Sequence, residues 1–275
     1  MTTEFSYEMP WRADFHVHTT FCDGKNTAEE MVLSAIEKGF SVLGFSGHAP
    51  MPFETDWCMT EESALCYREE VTRLKEKYKE KIRIYCGIEQ DYFSEASVSE
   101  YDFVIGSVHY VKKNGCYLAV DDTKEAVASA VMEHYCGDAY AFAEDYYRLI
   151  GNLLNKVHAD IIGHFDLITK FNEKQSFFHL SSERYVAAWQ SAVRTLLPFC
   201  VPLEINTGAM SRGYRAAPYP AEDIMRYVAK HGGCAVLSSD SHRADTLGFG
   251  FDMAANMARR AGLPLIRQVR NIKWE

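Results

Sequence analysis

The sequence predicts an α/β fold of barrel-like (β/α) form, and three observations lead there. Seven short runs of apolar or β-branched residues alternate with longer segments of helical periodicity. Strands alternating with helices imply a parallel sheet with right-handed crossovers. Most of the short runs are near-continuously apolar, as strands buried on both faces are. No Pro/Gly/Ser-rich linker divides the 275 residues, so residues 1–275 are expected to form one domain. A single α/β barrel commonly takes about 250 residues.

The expected strands are 12–16, 41–45, 82–88, 103–108, 160–163, 201–206 and 234–238. The helix at 27–38 opens on Thr27, carries Glu30 three residues later and stops at Gly39. That is a capping box with a glycine stop. The helix at 60–81 contains REEVTRLKEKYKEK. Its alternating signs read as a solvated face rather than a basic patch. Further helices are expected at 124–134, 139–157, 182–197, 221–231 and 252–261. The terminal IRQVRNIKWE fits either a last strand or a tail. No G-x-G-x-x-G follows any strand, so a dinucleotide site has no support.

Composition narrows the function classes. Hydrophobic residues make up 47% and charged residues 24%, ordinary values for a soluble globular protein. The net charge of −9 disfavours nucleic acid and anionic membrane as partners. It leaves room for a small phosphorylated substrate, because bound metal ions reverse the local sign. The eight cysteines form no C-x-x-C pair and no zinc-finger spacing. MTTEFSYEMPWR has no basic region followed by an apolar core, and no apolar run reaches transmembrane length. A cytoplasmic protein with reduced thiols is expected. Cys22, beside Asp23, reads as a small packing residue.

The chemistry sits where the strands end. The first strand runs into His16 and His18, with Asp23 following before Gly24. Residues i and i+2 of a strand share a face, so the two imidazoles can grip one ion together. The next four strands run into His48, Glu89, His109 and His164, and the last into Asp240 and His242. The βα loops converge at the C-terminal mouth of a barrel, where active sites form. Six of the ten histidines fall there. The remaining four, His134, His158, His179 and His231, lie in helices or loops and read as surface or helix-end residues. Buried together without cations, six histidines, a glutamate and two aspartates would carry a heavy desolvation cost. Metal binding is the economical account. Catalytic zinc-like ions take about three or four protein ligands each. Nine donors therefore suit two or three divalent or transition ions (zinc, iron or manganese), with Glu89 as the natural bridge. Such clusters favour phosphoryl chemistry.

The ordered set H-V-H-T-T-F-C-D-G, G-F-S-G-H, G-I-E, I-G-S-V-H, I-G-H-F-D-L, L-E-I-N-T-G and S-S-D-S-H-R resembles the PHP (polymerase and histidinol phosphatase) family over nearly the whole chain. The resemblance implies a distorted (β/α)7, TIM-barrel-like fold and metal-dependent phosphoester hydrolysis. It implies that His16, His18, Glu89 and Asp240 hold one ion, that Glu89, His109 and His164 hold a second, and that Asp23, His48 and His242 hold a third. Some members carry histidine where this chain has Asp23. S-G-H-A-P with Trp57 nearby, G-H-F-D-L-I-T-K-F-N, and L-E-I-N-T followed by Arg212, Tyr214 and P-Y-P look most like the stand-alone histidinol-phosphatase branch of histidine biosynthesis. Related chains often carry a basic residue at the position of Thr169, where here only the adjacent Lys170 is basic.

The expected reaction is phosphomonoester hydrolysis by a hydroxide bridging the first two ions. Arg212, Arg243 and Lys170 are the expected phosphate-binding cations. Asp240 and His242 are alternative donors of a proton to the leaving alcohol, and Glu89 completes the catalytic set. Three rival readings stand beside this one. They are a PHP phosphoesterase acting on a nucleotide or another small phosphate ester, an amidohydrolase, and a non-catalytic metal-binding domain. No strand-end lysine supports the amidohydrolase, and no missing donor supports the non-catalytic domain.

Overall fold

All seven predicted runs form parallel strands of one sheet, and the helices between them pack on its outside. The computed structural model describes residues 12–274. Residues 1–11, read above for a leader, and Glu275 of the terminal segment lie outside the described residues.

The elements, in chain order, are β1 (Ala13–Asp14), α1 (Ala28–Glu37), β2 (Val42–Phe45), α2 (Glu61–Tyr78), β3 (Arg83–Asp91), β4 (Phe103–Ser107), β5 (Tyr110–Lys113), β6 (Cys116–Ala119), α3 (Lys124–Tyr135), α4 (Ala139–Lys156), β7 (Ile161–Ile162), α5 (Glu183–Leu196), β8 (Leu203–Asn206), α6 (Gly208–Ser211), α7 (Glu222–Lys230), β9 (Ala235–Ser238), α8 (Phe251–Ala261), β10 (Gln268–Val269) and β11 (Ile272–Lys273). The sheet order is β1-β2-β3-β4-β7-β8-β9. Beyond its last strands the ring closes through a parallel bridge between Val17 and Ser241. There His18 N donates to Ser241 O (2.9 Å) and Ser241 N to His16 O (3.0 Å). The result is a nearly closed, distorted (β/α)7 barrel.

Local signals act as expected at α1. Glu30 N donates to Thr27 Oγ1 (3.3 Å) and Thr27 N to the Glu30 carboxylate (2.8 Å). On α2, Arg73 pairs with Glu70 and Glu29 at the surface, in keeping with a solvated face.

Two elements differ from the sequence reading. β5 and β6 form an antiparallel hairpin between β4 and α3, where no element was expected. Its turn is Asn114-Gly115 with φ of 52° and 82°, the left-handed pair that a two-residue hairpin requires. The terminal segment supplies no barrel strand. β10 and β11 pair with each other in a separate antiparallel ribbon.

That ribbon packs into an apolar cluster of inward side chains: Phe15, Val42, Phe103, Ile105, Ile161 and Val236, with Val269 and Ile272. Trp274 meets Phe15 at 4.7 Å between centroids, and Phe15 meets Phe103 edge-on at 5.3 Å. Phe103 has room only because its neighbours are glycines. A Cβ on Gly87 would lie 2.2 Å from the Phe103 ring, and one on Gly44 would lie 2.8 Å from it. This plug is the dry floor under the strand ends.

Gly87→Ala is therefore expected to lower stability by about 1–3 kcal/mol, the usual cost of overpacking a tight core. A fall in the urea midpoint without a change in slope checks this.

Candidate metal centre

Glu89, 1% exposed on β3, is the hub of the strand ends. Its Oε1 lies 2.9 Å from His164 Nε2 and 3.4 Å from His109 Nε2. Its Oε2 lies 2.8 Å from His48 Nδ1, 3.2 Å from His16 Nε2 and 3.6 Å from His18 Nε2. Ser107 Oγ also donates to Oε1 at 2.6 Å. One carboxylate thus faces five imidazoles from four chain segments.

The other predicted donors stand around it. Asp240 follows β9 in the left-handed region, with φ 49°. Its Oδ1 lies 3.3 Å from His18 Nε2 and 3.7 Å from His16 Nε2. A Cβ on Gly208 would sit 2.6 Å from Asp240 Oδ2, so the residue after Thr207 must be small. Asp23 Oδ2 is 3.1 Å from His242 Nε2, and its Oδ1 is 3.7 Å from His18 and from His48. Three sets of donor atoms come together closely enough to hold an ion: His16, His18 and Asp240; His48, Glu89 and His109; and His18, Asp23, His48 and His242. His48 reaches two of these sets because its Nδ1 faces Glu89 while its Nε2 faces Asp23. Eight of the nine predicted donors fall in these sets; His164 stands outside them, with Nε2 2.9 Å from Glu89 Oε1, and His48 takes the place beside Glu89 and His109 that the resemblance gave to His164.

The electrostatics of the site suit cations. Burial would push Glu89 toward neutrality, but His16, His48 and His109 hold its carboxyl well below the usual range. Burial likewise opposes ionisation of Asp240 and of Asp23, yet Arg212 with His16, His18 and His242 keeps the Asp240 carboxyl low, and His242, His48 and His18 keep that of Asp23 low. Burial, with His242 and His48 close by, lowers His18 to about 3, which leaves it a neutral imidazole. For His16, burial is outweighed by Glu204, Glu89 and Asp240, so its pKa lies well above 6.5. For His109, burial is outweighed by Glu89 and Asp91, and the value is about 9.

Polar atoms in the middle of the site lack conventional partners. His16 Nε2, His18 Nε2, Glu89 Oε2 and Asp23 Oδ1 are buried without a hydrogen bond. Buried polar atoms are nearly always satisfied; three of these meet, with Glu89 Oε2 3.2 Å from His16 Nε2 and 3.6 Å from His18 Nε2, while Asp23 Oδ1 faces His18 Nδ1 and His48 Nε2. The donor set therefore fits metal ions of the zinc, iron or manganese kind.

A second ring of acids holds the histidines, and the sequence reading did not single it out. Glu204, fully buried on β8, has Oε1 2.5 Å from His16 Nδ1. Its Oε2 accepts from His164 N (2.8 Å) and Asn206 Nδ2 (2.9 Å). Asp91 Oδ2 accepts from His109 N (2.7 Å) and lies 3.2 Å from His109 Nδ1. Each acid directs an Nδ1 proton toward itself and frees Nε2 to face inward. An acid inside the apolar run L-E-I-N and a second acid two residues after Glu89 were the available signals.

The three expected phosphate cations fare differently. Arg212 Nη2 donates to Asp240 Oδ2 (3.0 Å), and its Nη1 lies 3.0 Å from both Asp240 O and His242 Nδ1. Lys170 Nζ donates to Asp121 O (2.6 Å) and Oδ2 (3.1 Å) and lies 4.9 Å from the Tyr214 ring centroid. Arg243 departs from expectation. Its side chain is 63% exposed and forks onto Asp245, because the short turn after it presents that carboxylate outward. Arg215, which the sequence reading passed over, donates to Thr169 Oγ1 and Ala217 O and lies 4.5 Å from the Tyr219 ring centroid. Trp57, in the loop after His48, meets the rings of His48 (4.5 Å) and His109 (5.3 Å) edge-on.

Comparison with known proteins adds an independent line. Residues 14–208 match the family model described as PHP domain. A Deinococcus radiodurans protein named "Probable histidinol-phosphatase" is 31% identical over 260 residues, covering 90% of this chain and 93% of its own. A Bacillus subtilis "Histidinol-phosphatase" is 28% identical over 265 residues, covering 88% and 97%. The fold matches that of a Lactococcus lactis histidinol phosphate phosphatase solved with zinc, L-histidinol and phosphate. That match has a TM-score of 0.72 and 20% identity, covering 94% of this chain and 96% of the other.

The pKa directions predict how zinc binding depends on pH. With no ion bound, His16 and His109 carry protons at pH 7, and a metal must displace them. His18, Glu89 and Asp240 already stand in their ligating forms. Zinc affinity should therefore rise with pH through neutrality toward about 9, with net proton release. Calorimetry at pH 7 in two buffers of different ionisation enthalpy measures the protons released.

Proposed function

Since the chain belongs to the PHP domain family, we propose that it hydrolyses L-histidinol phosphate to L-histidinol and phosphate with the help of two or three metal ions. The observation that carries this reading is the gathering of the strand-end donors at one mouth, five imidazoles on Glu89 and Asp23, Asp240 and His242 in adjoining sets. The curated relatives match over most of their own length as well as this chain's, and the Lactococcus lactis protein holds zinc with the product pair.

In this proposal His16, His18, Glu89 and Asp240 hold one ion. Glu89, His109 and His164 hold a second, and Asp23, His48 and His242 hold a third. Ions held there supply Lewis acidity and a nucleophile at neutral pH. The side chains do the rest. Glu204 and Asp91 fix the imidazole tautomers. Arg212 occupies Asp240 Oδ2 and leaves Oδ1 facing His16 and His18.

The positive charge at the rim is graded. Arg212 is compensated by Asp240 and Lys170 by Asp121. Among the described residues Arg215 hydrogen-bonds to neutral oxygens, with the buried Asp166 carboxyl near enough to feel its charge, so its fork is the more available to phosphate. Of the two alternative proton donors to the leaving alcohol, Asp240 is held ionised by Arg212 and the imidazoles around it, so the proposal assigns the role to His242. His242, at 16% side-chain exposure against 9% for Asp240, is the nearer to arriving substrate. Among the described residues no helix is long and apolar enough to cross a membrane. The eight cysteines are unpaired, in keeping with the cytoplasmic location proposed here.

Metal analysis of the purified protein should find two to three ions per chain. Glu89→Gln should bring turnover of histidinol phosphate below detection while the fold persists by circular dichroism. Across phosphate monoesters, diesters and amides, the monoester histidinol phosphate should show the highest kcat/KM. A metal-free preparation with full activity overturns the proposal.

A further inference from the structure

Among the described residues β1 and β9 share no hydrogen-bonded ladder; their backbones pair at the Val17–Ser241 bridge. Asp14, fully buried on β1, spans the same gap from below. Its Oδ1 accepts from Ser239 N (3.0 Å) and His16 N (3.4 Å). Its Oδ2 accepts from the Ser239 hydroxyl and from Gly248 N (3.3 Å). Ser239 immediately precedes Asp240, whose backbone is held in the left-handed region. One carboxylate therefore fixes the residues on either side of the joint: the backbone of His16 on one strand and the approach to Asp240 on the other.

Both oxygens of Asp14 are engaged with protein groups, so it is no donor to an ion. We propose that Asp14 is a positioning residue that sets Asp240 and His16 as ligands of one and the same ion. The inference rests on the reading of His16, His18 and Asp240 as ligands. Groups that orient metal ligands typically govern affinity by about 10–100-fold. The predicted loss is therefore selective: the ion between β1 and β9 loosens, while the ions held by the other strand ends stay.

The test loads wild type, Asp14→Ala, Asp14→Asn and Tyr185→Phe with zinc and follows release to a chromogenic chelator. Tyr185→Phe removes a buried hydrogen bond to Tyr147 (2.9 Å) on the outer helices and controls for general loosening. One ion per chain should leave Asp14→Ala at least tenfold faster. Asp14→Asn should be intermediate, because its amide still serves Ser239 but turns a donor toward Gly248 N. Tyr185→Phe should release zinc like wild type although it melts earlier. If Asp14→Ala does not fold, Asp14→Asn and Ser239→Ala carry the comparison. Wild-type release rates in the position-14 variants overturn the inference, as does acceleration of every ion alike. A wild-type protein that takes up no zinc instead overturns the ligand reading.

Discussion

Everything at the strand ends depends on the placement of one buried carboxylate. Among the described residues the basic side chains paired with Glu89 are all imidazoles. An ionised carboxylate removed from water costs several kcal/mol unless it is compensated. His16, His48 and His109 supply that compensation, and the five imidazoles that face it come from the ends of four different strands. The barrel is the device that lets so many segments reach one point. In an open sheet the ends of first and last strands would lie too far apart, whereas here Val17 and Ser241 are paired.

The second ring converts a cluster of soft side chains into a fixed geometry. Glu204 ties β8 to His16 on β1's end and to His164 on β7's end. Asp91 ties β3 to His109 after β4. Arg212 ties the loop after β8 to Asp240 and His242. Each tie crosses between neighbouring or opposing strands, so these donors are not oriented by their own segments alone. Imidazole has two free torsions, and both are removed when one nitrogen is held by an acid and the other is directed inward.

The sequence makes some of this legible and hides the rest for physical reasons. The seven barrel strands stand out because parallel strands, covered on both faces, must be apolar throughout. The β5–β6 hairpin does not stand out, because VKKNGCYL mixes exposed lysines with half-buried residues. Its Asn-Gly turn was the readable sign. The nine donors are legible because strand ends are where a barrel gathers side chains. Glu204 and Asp14 are hidden because a lone acid in a short strand looks like a solvent-facing residue until the strand is known to be buried on both sides. Arg243 shows the opposite failure. Adjacency to His242 in sequence says nothing of direction, and the chain turns it onto Asp245. The substrate is legible only through family resemblance, since no spacing of metal ligands encodes an imidazole-bearing alcohol.

The apolar floor gives these interactions their strength. Directly beneath the polar ring lie Phe15, Phe103 and Ile105, all fully buried, with Trp274 closing below. His16 and His18 are fully buried and Glu89 is 1% exposed, so the carboxylates and imidazoles interact across a medium of low polarizability, where each contact counts for more than at a surface. Gly44 and Gly87 are what allow Phe103 to occupy the axis. The absence of two side chains on β2 and β3 is thus part of the site's electrostatics. It lets an aromatic ring stand where solvent would otherwise screen Glu89. On the opposite side the mouth keeps its rim of arginine, lysine and Trp57, so charge compensation from substrate and solvent can arrive only from above. Direction of approach, dryness of the floor and fixation of the donors are three consequences of the same packing.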